Sequence, residues 1–370
     1  MHVVADENIP GLDTLLPEGV TLQRVPGREL DPAMLAGADA LLVRSVTRVD
    51  AALLADSPVR FVGSATSGLE HVDQAYLASA DIAFANAPGA NANAVVEYVL
   101  TAVAAVEDYL ERLLDGGRVG IIGYGHIGHA LAQRLRLLGI GCAVYDPWLP
   151  REGRRDAAEF EEVMACDVIS CHAELTTREP YPSLHLLDAQ ALAGLHGRQL
   201  LINASRGAVI DNKALLARCT AADAPAVVLD VWEGEPEIDA RLLDRVAIGT
   251  PHIAGYSVEG KLRGSAMLVT ELAAHMGETG AHDSTLYRHT LLADSSAIAA
   301  VLATNYDIWR DDAALRGVVN DVDSASGFDR LRREYPDRHE LLGASLTVPG
   351  ATPEERDLLA ALGCSVEIVV

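Results

Sequence analysis

The sequence predicts an α/β protein with two doubly wound parallel sheets, followed by a smaller C-terminal α+β domain. Two series of short apolar segments carry this prediction, because each alternates with helical patterns and parallel strands need crossover helices. The length agrees. At about 100–200 residues per domain, 370 residues, of which 49% are hydrophobic, have room for two or three domains with cores of their own.

The first series of apolar segments lies within about the first 90 residues. Turn signals such as Asp31-Pro32 and Asp50 separate the segments and suit helix N-caps. We therefore expect a first parallel sheet from the segments at 2–5, 21–25, 40–45, 59–63 and 81–85.

The second series follows a long helical pattern at roughly 91–114, which ends at Gly116-Gly117. Its segments are nearly continuous apolar runs, as expected of strands that helices cover on both faces. They lie at 118–123, 142–146, 167–173, 199–205, 226–231 and 246–252. Another helical pattern at 255–277 precedes a polar stretch at 277–285, which we interpret as a linker.

The C-terminal part of the chain differs in kind, because its pattern is helical to about residue 335 and then β-α-β. The segment Thr352-Pro353-Glu354-Glu355 combines an N-cap, a proline at the first helical position and a glutamate at the third. Gly363 is expected to end this helix before the final strand.

Composition excludes several classes of function. With 29 basic and 53 acidic residues the net charge is −24, and no basic run exists that could bind nucleic acid or an anionic membrane. No apolar run approaches the roughly 18 residues of a membrane span. The five cysteines form no CxxC pair and indicate thiols in a reducing compartment. We expect a soluble, cytoplasmic protein without a metal site.

A glycine motif predicts a dinucleotide site of Rossmann type. Gly123-Tyr124-Gly125-His126-Ile127-Gly128 directly follows an apolar strand and precedes an amphipathic helix, so backbone N–H groups and the helix N-terminus can bind a pyrophosphate. Asp146 ends the next strand, where a carboxylate can accept hydrogen bonds from the ribose. Because Asp146 would repel a 2′-phosphate, the expected cofactor is NAD rather than NADP.

Three further segments each end a strand of the second sheet, at the edge where open α/β sheets bind ligands. They contain Arg206, Glu235 and His252. Taken singly, Arg206 is typical of a surface ion pair, Glu235 of a solvated loop acid and His252 of a core histidine. Jointly they supply a cation for a carboxylate, a base for proton transfer and an acid that orients the base. Such a set suits the oxidation of a 2-hydroxy acid beside a nicotinamide.

The motifs GYGHIG, NASRGAVIDN, DVWEGEP and PHIAGYS resemble those of the D-2-hydroxyacid dehydrogenase family, in the family's order, over roughly residues 40–275. A narrower resemblance is to one branch of that family, whose members oxidise a phosphorylated hydroxy acid and end in a dimerisation domain. It is carried by ADENIP at 5–10, LLVRSVT at 41–47, NAPGAN at 86–91 and HIAGYSVEGKLRG at 252–264.

The resemblance implies roles for individual residues. Arg206, Glu235 and His252 would be catalytic, with His252 as proton donor and acceptor. Substrate would contact Ser45, Thr66 and Tyr256. Contacts to NAD would come from Gly123, Gly125, His126, Ile127, Gly128, Asp146, Ala173, Ala204, Ser205, Arg206, Asp230 and Gly255.

The resemblance also implies a discontinuous domain plan. A flavodoxin-like substrate-binding domain would join residues 1–92 with 256–280, a Rossmann NAD-binding domain would span 93–255, and residues 286–370 would form the homodimer. One departure from the family is His172-Ala173-Glu174-Leu175, where relatives usually have His-Thr-Pro-Leu. Only backbone contacts to the cofactor can survive at Ala173.

A substrate phosphate would approach a protein of strongly negative charge, so it needs local cations. Arg44, next to Ser45, and Lys261, with Arg263 shortly after Tyr256, are the candidates. The alternative is that these cations only balance nearby acids.

Two other functions are compatible with the sequence. The first is a sibling enzyme such as 3-phosphoglycerate dehydrogenase, but an amino-acid-binding regulatory module would show a βαββαβ pattern that the tail lacks. The second is an NAD-sensing binding protein on the same fold, which should carry a basic face or partner-binding tails.

Overall fold

The structure is a computed structural model that describes residues 1–277 and 289–369. Nearly all of the linker predicted at 277–285 lies outside these residues. The described part of the chain divides into two compact units, one formed by residues 1–91 and 257–277 and the other by 92–256 and 289–369. Within these ranges, no helix combines the length and the apolar character needed to cross a membrane.

The strands of the described residues form three sheets, and every strand pair is parallel. They are β1 (His2–Asp6), β2 (Thr21–Val25), β3 (Ala40–Val43), β4 (Phe61–Ser64), β5 (Ala83–Asn86), β6 (Arg118–Ile122), β7 (Gly141–Tyr145), β8 (Val168–Cys171), β9 (Leu200–Asn203), β10 (Ala226–Leu229), β11 (Ile248–Gly249), β12 (Thr290–Leu292), β13 (Ser345–Pro349) and β14 (Ser365–Val369).

The helices alternate with the strands in both predicted series. They are α1 (Leu12–Leu15), α2 (Ala51–Leu54), α3 (Gln74–Ser79), α4 (Ala92–Ala105), α5 (Tyr109–Leu114), α6 (His126–Leu137), α7 (Phe160–Met164), α8 (Ala189–Ala193), α9 (Asn212–Cys219), α10 (Ala240–Leu243), α11 (Val258–His275), α12 (Ile298–Asn305), α13 (Ile308–Val318), α14 (Ser324–Arg333) and α15 (Pro353–Ala361). The predicted fold class is thereby confirmed.

The first unit contains a five-stranded sheet of order β2-β1-β3-β4-β5. Strands β3 and β4 are buried throughout, because helices cover both faces of the sheet. One face packs against α11, whose Leu268, Val269 and Leu272 are buried with Leu42 and Phe61. A segment from late in the chain thus completes the core of this unit.

The second unit contains a six-stranded sheet of order β11-β10-β9-β8-β6-β7. The strand order reverses at β6, which lies between β7 and β8, so the crossovers leave it on opposite sides. Such a switch point opens a crevice at the carboxyl ends of the strands, where ligands bind. Gly123 lies there, directly after β6.

The long helix expected over 91–114 is two helices in the structure. Between α4 and α5, Glu107 has a positive φ of 45° and turns the chain. Tyr109, Leu110 and Leu113 then pack in the same core as α4. No glycine or proline marks this break, so the apolar pattern reads as continuous.

The C-terminal β-α-β pattern is confirmed in detail. Thr352 and Glu355 form a reciprocal capping box at the start of α15, and Gly363, with a φ of 98°, follows its end. Strand β12 was not expected, since it has only three residues and two of them are exposed. Residues of α13 also hold the edge of the six-stranded sheet, because the Asp312 carboxylate accepts a hydrogen bond from Gly249 N at 2.8 Å.

Candidate active site

The glycine loop of the second unit has the shape that a dinucleotide requires. A Cβ on Gly128 would lie 2.0 Å from the carbonyl oxygen of Gly123, and a Cβ on Gly123 would lie 2.6 Å from the backbone nitrogen of Ala173. Only glycine fits at either position. By contrast, a Cβ on Gly125 would meet no described atom within 4 Å, so the N-terminus of α6 is open. The loop therefore fits a pyrophosphate.

Asp146 follows β7 and anchors the glycine loop. Its two carboxylate oxygens accept hydrogen bonds from Tyr124 N at 2.8 Å and from Trp148 N at 3.0 Å. The carboxylate is thus fixed at the end of the strand next to β6, the position that the sequence predicted for a ribose contact. Its lone pairs beyond these two bonds remain available to hydroxyl donors.

Glu235 and His252 form a hydrogen-bonded pair. The Glu235 Oε2 atom lies 2.7 Å from His252 Nδ1, while Oε1 accepts a hydrogen bond from Trp232 N at 2.7 Å. Burial alone would raise the pKa of Glu235, but the hydrogen bond and charge of His252 outweigh it and lower this pKa below its ordinary value. The ionised carboxylate therefore holds the proton of His252 on Nδ1 and leaves Nε2 for a substrate.

Asp230 fixes the backbone next to His252. Its buried carboxylate accepts hydrogen bonds from Thr250 Oγ1 at 2.7 Å, from Ile253 N at 2.8 Å and from Ala254 N at 2.9 Å. Burial raises the pKa of Asp230, against the lowering effects of His252 and Thr250. His252 itself has a positive φ of 57°, a conformation that these bonds maintain.

Arg206 lies in the loop after β9, beside the strand that precedes Glu235. The Asn203 side chain donates to Arg206 O at 3.0 Å and accepts from Ser205 N at 3.1 Å, which fixes the turn. A Cβ on the next residue, Gly207, would lie 2.0 Å from the carbonyl carbon of Trp232. Only glycine allows this loop to approach the segment that carries Glu235 so closely.

The remaining cofactor residues predicted in the second unit border the same loops. Ala204 and Ser205 are buried, Gly255 is half-buried next to Ala254, and His126 and Ile127 open α6. The backbone of Ala173 packs against Gly123, and this contact does not need a side-chain hydroxyl at residue 173.

Three of the predicted substrate residues of the first unit, Arg44, Ser45 and Thr66, follow strands at the carboxyl edge of its sheet. Ser45 follows β3 and is exposed, and Thr66 follows the neighbouring strand β4, where its hydroxyl bonds Ser64 and the carbonyl of Gly68. Arg44 forms an ion pair with buried Asp6, Nε to Oδ1 at 3.2 Å. Lys261 lies half-buried on α11. Their substrate contacts stay predictions.

One residue that the sequence did not single out reaches the catalytic pair. Arg332 of α14 is half-buried, hydrogen-bonds Tyr256 and acts by its charge on Glu235 and Asp230. No motif marks it, because it stands in an arginine-rich stretch with Arg330 and Arg333. Only the direction of its side chain in the folded protein distinguishes Arg332 from these two arginines.

Comparisons with known proteins agree with this site. A family model described as D-isomer specific 2-hydroxyacid dehydrogenase, NAD binding domain, matches residues 96–254, and a domain of unknown function (DUF3410) matches residues 284–363. An erythronate-4-phosphate dehydrogenase of Teredinibacter turnerae is 44% identical over 94% of this chain and 95% of its own length. One from Marinobacter nauticus is 42% identical over 100% of both chains.

A solved structure shares the fold at lower identity. The D-lactate dehydrogenase of Aquifex aeolicus, complexed with NAD and lactic acid, superposes with a TM-score of 0.60 at 22% identity, over 75% of this chain and 96% of that one.

The chain therefore belongs to the D-isomer specific 2-hydroxyacid dehydrogenase family. It is an NAD-dependent oxidoreductase, so the predicted class and cofactor are confirmed. The two full-length relatives are erythronate-4-phosphate dehydrogenases, which is the branch that the C-terminal and substrate motifs indicated.

Proposed function

We propose that the chain oxidises 4-phospho-D-erythronate to (R)-3-hydroxy-2-oxo-4-phosphooxybutanoate, a step towards pyridoxal 5′-phosphate. The observation that carries the reaction type is the contact of 2.7 Å between Glu235 and His252 at the carboxyl edge of the second sheet. Relatives matched over 95% or more of their own length support the substrate.

The residues of the second unit account for the proton chemistry. His252 Nε2 accepts the proton of the substrate's C2 hydroxyl, and Glu235 stabilises the imidazolium that forms. Arg206 is proposed to bind and orient the substrate carboxylate, since a guanidinium matches its two oxygens. Bound NAD supplies the hydride acceptor, and the loop of Gly123–Gly128 with Asp146 would hold it.

The sibling and sensor alternatives are less well supported. The tail has the order β12-α12-α13-α14-β13-α15-β14, which is not the βαββαβ order of a regulatory amino-acid-binding module. A protein that only senses NAD has no need of a base held against an ionised carboxylate.

Assembly and location are also proposals. We infer a homodimer formed through the C-terminal domain, which light scattering on the full chain would test. The cysteines Cys142, Cys166, Cys171, Cys219 and Cys364 are all free thiols, which suits the cytoplasm as the proposed location.

A substrate panel tests the proposed reaction. Purified protein with NAD and a 2-oxo acid is given 4-phospho-D-erythronate, 3-phospho-D-glycerate, D-glycerate or D-lactate, and NADH or the reduced acceptor is measured. We expect the highest kcat/KM for 4-phospho-D-erythronate. Better turnover of 3-phospho-D-glycerate would favour the sibling enzyme, and no turnover of any substrate would favour the sensor.

The variant His252→Ala tests the role of His252 as the base. It should lose turnover by about 10² to 10⁴ while its affinity for NAD stays close to that of the wild type. His185→Ala is the matched control, because His185 also contacts a glutamate, Glu233, at 2.8 Å, and neither of these two residues is in contact with His252.

A further inference from the structure

Helix α14, in the C-terminal part of the chain, places a guanidinium beside Tyr256 and close enough to Glu235 and Asp230 to act on them by its charge. Arg332 is the next-to-last residue of α14. Its guanidinium hydrogen-bonds the side chain of Tyr256, four residues beyond His252. Its Nε atom is buried and has no hydrogen-bond partner among the described residues.

Packing around the end of α14 fixes the position of Arg332. Tyr335, just beyond α14, meets Tyr256 edge to face with ring centroids 5.7 Å apart. The Tyr335 hydroxyl donates to Asp311 Oδ2 at 2.6 Å, and Asp311 lies on α13. Two aromatic rings and a buried carboxylate thus hold the end of α14 beside the site.

The carboxylates near Arg332 already have donors. Both oxygens of Glu235 are engaged, one by Trp232 N and the other by His252 Nδ1. Both oxygens of Asp230 are engaged by Thr250 and by the backbone after His252. Arg332 therefore acts on these carboxylates by its charge, and its buried Nε donor has no acceptor among the described residues. A buried donor without an acceptor is costly.

An anionic substrate carries acceptors of the kind that Arg332 Nε lacks. Under the proposed function it carries two anionic groups, a carboxylate on the reacting carbon and a phosphate at the other end. Arg206 lies in the loop whose Gly207 approaches the backbone of Trp232 and Glu233, and it is assigned the carboxylate. We propose that Arg332 binds the substrate phosphate, so that the C-terminal domain takes part in choosing the substrate. This inference rests on the proposed function.

The test compares two substrates that differ only in the phosphate, 4-phospho-D-erythronate and D-erythronate. In Arg332→Gln, KM for 4-phospho-D-erythronate should rise about 10- to 100-fold, the worth of one charge-assisted hydrogen bond. KM and kcat for D-erythronate should change by less than about 3-fold. The matched control is Arg333→Gln, because Arg333 is the next residue, is about half exposed and pairs only with neighbouring Glu334 among the described residues.

Equal losses on both substrates would overturn the proposal, because they would mean that Arg332 only supports Glu235 and His252. An unchanged KM for the phosphorylated substrate would overturn it as well. Arg332→Lys keeps the charge without the guanidinium fork, so it should fall between the wild type and Arg332→Gln. It also serves if Arg332→Gln does not fold.

Failure of the proposed function can be told apart from failure of this inference. If the wild type does not oxidise 4-phospho-D-erythronate, the function is wrong. Competition by inorganic phosphate against whichever 2-hydroxy acid is oxidised then tests Arg332 alone. Weaker competition in Arg332→Gln supports phosphate binding there, and equal competition refutes it.

Discussion

Replacing Glu235 by glutamine should impair oxidation more than the loss of one charge suggests. The Oε1 atom of Glu235 accepts a hydrogen bond from Trp232 N at 2.7 Å, and only the oxygen of a glutamine amide can keep that bond. The amide NH2 group then faces His252 Nδ1, which must accept rather than donate. The neutral imidazole consequently carries its proton on Nε2, where it cannot take the proton of the substrate.

The expected magnitude has two parts. The wrong tautomer removes general-base catalysis, which is worth about 10² to 10⁴ in kcat. The lost carboxylate also removes a charge-assisted hydrogen bond of about 1.5 to 3 kcal/mol to the imidazolium. At about 1.36 kcal/mol per pH unit, this moves the acidic limb of the residual pH–rate profile about 1 to 2 units lower. The direction follows because the carboxylate favours the charged ring.

The assay is kcat for NAD reduction as a function of pH, for the wild type and for Glu235→Gln. Glu233→Gln is the matched control, since it alters a His–Glu contact only two residues away, at His185. It should leave kcat within about 3-fold of the wild type, because the Glu233 carboxylate contacts His185 and Asn212 N and not His252, and a partly exposed pair of this kind is worth about 0.2 to 1 kcal/mol. Activity of Glu235→Gln near that of the control, with an unshifted profile, would refute the assigned role of Glu235.

Three further predictions concern the cofactor, the substrate and stability. NAD should exceed NADP in kcat/KM by about 100-fold or more, since like charges in contact cost several kcal/mol. Asp146→Ala should narrow that ratio, and an unchanged ratio would exclude Asp146 as its cause. Arg44→Ala and Lys261→Ala should each raise KM for the phosphorylated substrate but not for NAD, and less so at high salt; unaltered KM values would remove both from the site. Burial raises the pKa of Glu97 to about 8 from an ordinary 4.5. Below about pH 8 this carboxyl is therefore neutral in the folded protein, whereas in the unfolded chain it ionises at a lower pH. The free energy of unfolding should therefore fall as pH rises between these two values, by as much as about 5 kcal/mol. Melting temperatures of Glu97→Gln should fall less over that range, and parallel curves would contradict the assignment.

Local patterns were sufficient to predict every described strand except β12. They also indicated the cofactor site, where the contacts of single residues with NAD stay predictions. Buried parallel strands appear in the sequence as apolar runs. The strand, glycine loop and helix around Gly123 follow one another directly in the sequence. Asp146 was found in the same way, one strand later. Arg206, Glu235 and His252 could be grouped because parallel strands bring their carboxyl ends to one edge.

Other features depend on contacts between distant parts of the chain, which no local pattern encodes. The turn at Glu107 has no glycine or proline to mark it, and it is maintained by the burial of Tyr109 and Leu113. The side-chain bond between Glu235 and His252 required two loops to meet at the correct distance.

Arg332 is the clearest case. Among the arginines of its stretch, its side chain alone is directed at Tyr256 and the catalytic acids, as far as the described residues show. The sequence by itself determined which residues could perform the chemistry, because residue type and strand position are local properties. The tertiary structure decided which of them meet, because a side chain acquires its partners only when packing brings distant segments together.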